Sequence, residues 1–244
     1  MNEIEKFEAE VSANIDGLVA DRDVQALSRI WLREITRHKY AYNFKWMGRP
    51  IIQFPQDMIA MQEIIWELKP DLIIETGVAH GGSVLYYASL LELVGGDGYV
   101  LGIDIDIRAY NRAEIERHPM HKRLQLIQGS SIAAETVAQV AEHVRGKQRV
   151  LVILDSNHTH EHVLAELQAY SPFVTKGSHL VIFDTLIEDM PDDLLGDRPW
   201  GKGNNPKTAL RAFLESSDRF EIDERIVSKL LITVAPDGYL RCVR

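Results

Sequence analysis

From residue 71 onward, short continuous apolar runs alternate with stretches of helical periodicity, and few folds satisfy that alternation. The runs occupy residues 72–74, 99–103, 124–127, 150–154 and 179–183, followed by 222–227 and 230–234. Residues 83–93, 132–144 and 160–170 carry apolar side chains at three- and four-residue spacing between them. A strand covered on both faces loses polar–apolar alternation and reads as an unbroken apolar run. Such strands alternating with helices predict a Rossmann-like α/β fold: a mostly parallel seven-stranded sheet with helices on both faces. The last two runs lie close together in the chain and are expected to pair as an antiparallel hairpin.

The first part of the chain is different. Residues 3–38 are helical and amphipathic, with Ile4, Phe7, Val11, Ile15 and Leu18 on one stripe and a second such stretch from about residue 24. Residues 39–56 are aromatic and irregular and contain Pro50 and Pro55, which mark a loop or edge segment. A helix is expected over 56–68, closed by Lys69-Pro70. We therefore divide the chain into a helical extension with an acceptor-side segment (1–56) and the α/β domain (57–244). The amphipathic helices at the start are surfaces on which copies of the chain can pack as a homo-oligomer.

Composition excludes several classes. The net charge of −9 argues against a nucleic-acid partner, which wants a basic face. The chain contains no run of roughly 18 apolar residues, so no membrane helix is expected, and its acidic start lacks the pattern of a secretory signal. Cys242 is the only cysteine, which leaves no disulfide framework or thiolate metal cluster. These features point to the cytoplasm.

The first core strand runs into Glu75-Thr76-Gly77-Val78-Ala79-His80-Gly81-Gly82-Ser83. Glycines at such a turn let a ligand approach the backbone closely, and Ser83 can cap the helix that follows. A dinucleotide turn reads G-x-G-x-x-G; here an acid precedes the first glycine by two places. Pyrophosphate disfavours a nearby carboxylate, whereas a ligand with an ammonium and a sulfonium tolerates one. Glu75, Gly77, Gly81 and Ser83 therefore point to S-adenosylmethionine. Asp104, at the second strand end, can accept both ribose hydroxyls, while Asp106 is expected in solvent. Ser130 and Ser131, after the third strand, can bond the adenine or cap a helix.

Asp155 ends the fourth strand and Asp184 the fifth, so both project at one mouth of the sheet. Two carboxylates there repel unless a proton or cation lies between them, and Mg²⁺ suits such oxygen donors. His158, three residues past Asp155, can take a proton from a substrate hydroxyl, since imidazole titrates near about 6.5. His160 and His162 are expected to be helix residues. They do not complete the zinc-hydrolase motif H-x-H-x-D-H. No histidine is followed two places later by Asp or Glu, which weighs against a non-haem oxygenase triad.

Several segments together resemble the cephalosporin hydroxylase/rhamnosyl O-methyltransferase family. They are Trp46-Met47-Gly48-Arg49-Pro50, Pro55-Gln56-Asp57-Met58, the ETGVAHGGS turn, LDSNHTHEHV and the ending Ala235-Pro236-Asp237-Gly238-Tyr239-Leu240. The resemblance covers nearly everything after about residue 25. It implies a class I methyltransferase fold and Mg²⁺-dependent methyl transfer from S-adenosylmethionine to a small-molecule hydroxyl acceptor, a sugar or natural product. It also implies a metal aspartate and a base histidine at Asp155 and His158, and a Glu-Asp pair at the fifth strand end. Asp184 matches that pair, but Phe183 stands where the glutamate would be. The third ligand is then Glu188 or Asp189, or the site is weaker, or it holds no metal. The polar segment 186–206, with Trp200, is expected to form a flexible lid over the acceptor pocket, with Tyr42, Trp46 and Gln53 on the acceptor side. A metal-dependent hydroxylase and a non-catalytic adenosine-ligand-binding protein remain the alternatives.

Overall fold

The computed structural model describes residues 2–244. Two helices, α1 (Glu3–Ala20) and α2 (Arg22–Arg37), precede a short antiparallel hairpin of β1 (Phe44–Trp46) and β2 (Arg49–Ile51). Then come α3 (Pro55–Leu68), β3 (Leu72–Thr76), α4 (Gly82–Val94), β4 (Tyr99–Asp104), α5 (Ala109–Arg117), β5 (Leu124–Gln128) and α6 (Ala134–Val144). The chain continues through β6 (Val150–Leu154), α7 (His160–Tyr170), β7 (His179–Ile182), α8 (Pro206–Ser216), β8 (Phe220–Ile222), α9 (Glu224–Leu230) and β9 (Tyr239–Cys242).

The seven-stranded sheet has the order β5-β4-β3-β6-β7-β9-β8. The five strands from β5 to β7 are parallel, and β9 runs antiparallel to both β7 and β8. The chain winds outward from β3 to β5, then returns past β3 to β6. That reversal between β3 and β6 opens a crevice beyond the carboxyl ends of the strands, where open α/β sheets bind ligands.

Side chains alternate across the sheet with period two. On β3, Ile73 faces the core formed with Met61 and Ile65 of α3 and Leu85 of α4. Leu72 and Ile74 face the other core, with Val140 of α6, Leu167 of α7 and Phe213 of α8. Burial on both sides is why β3, β4, β6 and β7 read as nearly continuous apolar runs, while β5, at the sheet edge, exposes Gln125 and Gln128.

The end of the chain departs from expectation. The last two strands are not 222–227 and 230–234, although they do pair antiparallel. Ile226, Val227 and Leu230 lie on one side of α9, which packs against α1 and α3. Short apolar runs do not separate helix from strand by themselves. β9 follows a turn at Asp237-Gly238, with Asp237 at φ +67°. A Cβ at Gly238 would lie 2.1 Å from the Ile182 carbonyl oxygen, so only glycine lets β9 close against β7. The expected lid also divides. Residues 185–189 form a 3₁₀ turn with Leu186 and Ile187 buried, and only 196–204 is an exposed flap around a half-buried Trp200.

Candidate active site

Two glycines set the geometry at the crevice. Gly77 has φ +93°, and a Cβ there would lie 1.9 Å from the Asp155 carbonyl oxygen. The Asp155 amide in turn donates to the Thr76 carbonyl at 2.9 Å. The ends of β3 and β6 therefore touch through bare backbone. At Gly82 a Cβ would meet the Pro50 carbonyl oxygen at 2.1 Å, so β2 presses on the first turn of α4. The cap of α4 is Gly81, in the left-handed conformation, and not Ser83. Ser83 lies inside the helix, and its hydroxyl donates to Glu75 Oε2 at 2.9 Å.

Glu75 is fully buried beneath this turn, and its Oε1 has no partner. Burial raises its pKa to about 8 against the opposing hydrogen bond from Ser83, and the nearby Asp104 adds to the rise. Its carboxyl thus holds a proton at neutral pH. Asp104 binds the turn itself: Oδ2 accepts from the amides of Val78 (2.8 Å) and Ala79 (3.1 Å), and Oδ1 from Asp106 (2.9 Å). Asp106 is exposed, as expected. Helix α6 begins after Ala133, so neither Ser130 nor Ser131 caps it.

A cavity of about 650 Å³ opens over the crevice. Gly77, Ser83, Asp155, His158 and Asp184 line it on the sheet side, and Tyr42, Gln53 and Trp200 on the other. Glu75, Asp104, Ser130 and Ser131 lie outside its wall. Trp46 is also outside; its indole N–H donates to Ser89 at 3.0 Å and its ring packs edge-on against Tyr86.

Asp155, His158 and Asp184 converge at the cavity. One ligating atom from each lies within 4.8 Å of the others, and His158 Nε2 is 3.3 Å from Asp184 Oδ2. Asp184 adopts the left-handed conformation, φ +57°, which is costly without glycine and recurs at functional sites. The Asp155 carboxyl is driven well above its usual range by burial first, then by Asp184, Glu75 and Glu166. An arrangement this acidic holds either a proton or a cation. Trp200 stacks edge-on against the His158 ring at 4.8 Å.

The expected third ligands are absent from the cluster. Phe183 points into the core, where it meets Tyr239 edge-on. Glu188 accepts from the Gly203 amide (2.8 Å) and from the Asn205 side chain, and Asp189 pairs with Lys207 at 2.8 Å. Both acids tie down the flap and α8 instead.

Arg49 and Asp57 stood out in the sequence only inside the segments that carry the family resemblance, Gln53 only as an acceptor-side candidate, and Asn111 not at all. Arg49 donates twice to the His80 carbonyl (3.0 and 2.7 Å) and once to Asn111 Oδ1 (2.7 Å), while Asn111 Nδ2 donates to the Ala79 carbonyl at 2.9 Å. Together they clamp the glycine turn. Asp57, fully buried, accepts from the Thr233 hydroxyl, the Val234 amide (2.9 Å) and the Tyr239 hydroxyl (2.7 Å). Gln53 Nε2 donates to the Tyr87 hydroxyl at 2.9 Å. The signal for Asp57 in the sequence was its place in the Pro55-Gln56-Asp57-Met58 segment.

The family model for rhamnosyl O-methyltransferase/CmcI matches residues 38–243. The chain belongs to this family. Among its members, the rhamnosyl O-methyltransferase of Mycobacterium leprae is 32% identical over 210 residues, covering 83% of this chain and 87% of the relative. The Mycobacterium tuberculosis enzyme of the same name is 31% identical, covering 83% and 82%. The structure of CmcI with Mg and SAM superposes with a TM-score of 0.57 at 22% identity, covering 83% of this chain and 78% of that one. That likeness is one of fold, and it agrees with the class I methyltransferase architecture expected for this family.

Proposed function

We propose that the chain is an S-adenosylmethionine-dependent, Mg²⁺-assisted O-methyltransferase acting on a hydroxyl of a small molecule, a sugar or natural product. The observation that carries this reading is one imidazole and two carboxylates at the cavity wall, one strand away from the glycine turn. Family membership supports it. The donor set also disfavours the hydroxylase alternative, whose triad needs two imidazoles and one carboxylate.

The residues fit the groups this reaction needs. Gly77 and Gly82 let the glycine turn pack directly on the backbone of Asp155 and Pro50, which fixes its shape beside the cavity. The Glu75 carboxyl lies buried beneath the turn with Oε1 partnerless, and a cationic ligand above it would favour release of its proton. Gly81 and Ser83 complete the turn. Asp104 retains lone pairs for ribose hydroxyls, and Ser130 and Ser131 stand on the adenine side. Asp155, at the meeting of the two strands, borders both halves of the site. Asp155 and Asp184 would hold Mg²⁺, with two carboxylates and open positions as that ion prefers. Bound there, the ion lowers the pKa of a hydroxyl it contacts, and the sulfonium of the cofactor supplies an electrophilic methyl group.

His158 then takes the proton of the attacking hydroxyl on Nε2. Asp184 Oδ2, 3.3 Å from that nitrogen, helps to set the orientation of the ring. Trp200 and the apolar wall of Ile187 and Met190 exclude water from the attacking oxygen. Much of the acceleration comes from this positioning.

Calorimetry with S-adenosylmethionine and its demethylated product, with and without Mg²⁺, tests the binding half. A mass-spectrometric acceptor screen for one added methylene tests the transfer. His158→Ala is expected to keep cofactor affinity and to lose about 10²–10⁴-fold in kcat. Folded protein with no affinity for either nucleoside would overturn the proposal.

A further inference from the structure

Helix α7 carries His162, Glu166 and Tyr170 at four-residue spacing, which stacks them on one face. Glu166 and Tyr170 are fully buried. Each of the three reaches a loop at the carboxyl end of the sheet. Ser156, next to Asp155, donates its hydroxyl to Glu166 Oε1 at 2.7 Å. Tyr170 donates to the Ser131 carbonyl at 2.8 Å. His162 Nε2 lies 3.1 Å from Ser131 Oγ, 3.3 Å from Ser156 Oγ and 3.5 Å from Glu166 Oε1. With its one proton directed to Glu166, Ser156 can only accept from His162.

We propose that this stripe positions the site, with Glu166 as its centre. Glu166 fixes the Ser156 hydroxyl, which fixes the turn that aims Asp155 and His158. His162 and Tyr170 tie the same helix to Ser131, on the expected adenine side. A buried carboxylate is costly to keep unless something uses it, and Glu166 Oε2 has no partner. Its one short contact is to the residue beside the metal candidate. Partners one step removed from a metal site orient its ligands, and their loss costs about 10–100-fold in affinity or activity. This assignment rests on the methyltransferase reading only for its catalytic consequence.

The test compares Glu166→Leu, which removes the acceptor, with Glu166→Gln, which keeps an oxygen for Ser156. Hydrogen exchange is followed at the amides of residues 155–159 in the cofactor-free protein, and Mn²⁺ affinity is measured by calorimetry. The leucine variant is expected to exchange faster there and to bind Mn²⁺ about 10–100-fold more weakly. The glutamine variant should recover most of both. Ser156→Ala removes the same contact from a half-buried position, and so serves if Glu166→Leu does not fold. The double variant should be no worse than the poorer single one. Unchanged exchange and metal affinity without the acceptor, or losses that multiply in the double variant, would overturn the assignment. Altered exchange in a protein that binds no cofactor would instead refute the methyltransferase reading and leave the positioning role standing.

Discussion

Glu75 is fully buried with one hydroxyl donor, Ser83, against its carboxyl, and this sets the pH behaviour of the site. Its folded pKa of about 8 is above the ordinary 4.5. The folded state therefore keeps a proton that the unfolded chain releases. Below about 4.5 this has no effect; between there and 8 it costs stability that grows with pH, and above 8 the cost is constant. Glu75→Gln removes the titration. The cofactor-free variant should melt higher than the parent at pH 8, with the difference shrinking towards pH 5, as scanning calorimetry across that range would show. It should also bind S-adenosylmethionine at least about tenfold more weakly, since the amide cannot acquire charge. The acid two places before the first glycine was legible in the sequence. Its burial was not, because that depends on Ser83 folding back over it from inside α4. His158, Asp155 and Asp184 were legible as strand-end residues for the opposite reason: a parallel sheet leaves its carboxyl ends no other direction to face.

The five parallel strands and their helices could be read from the chain because short apolar runs alternate there with longer stretches of helical spacing. The last two strands could not. The two apolar runs near the end fall on α9 and on the irregular segment 231–234 after it, while β9 offers only Tyr239, Leu240 and Cys242 around an exposed Arg241. What fixes that region is Asp57, which links α3 to Thr233, Val234 and Tyr239 across most of the chain. Burial lifts its carboxyl to about 6 against these hydrogen bonds. Asp57→Asn can keep an oxygen for the Val234 amide only by turning its N–H₂ towards the Thr233 and Tyr239 hydroxyls, whose protons then lose their acceptor. We expect a loss of about 1–3 kcal/mol, measured by urea denaturation at pH 7. Because β9 borders β7, the same variant should weaken metal binding at Asp184 without touching it.

At the scale of the molecule, residues 44–56 and the α/β domain share one core: Ile51 and Phe54 pack with Leu85 and Tyr87. Gly82→Ala should therefore act on both at once, with a backbone oxygen in the way and no side chain free to yield. Destabilisation of about 1–3 kcal/mol is expected, together with loss of cofactor affinity, read by thermal melting with and without S-adenosylmethionine. The contact of Gly82 with Pro50 has a mechanical corollary. The wall carrying Gln53 cannot swing away from the glycine turn, because nothing separates them but touching main chain. The opposite wall is held by side chains: residues 196–204 are mostly exposed and are pinned by Glu188, by Asn204 to the His160 amide, by the Asn205 side chain to the Gly201 carbonyl, by Arg198 to the Tyr42 hydroxyl and by Trp200 against His158. The mouth thus has one jaw joined through main chain and one joined through side chains, and we expect the traffic of acceptor in and methyl ether out to fall to the second.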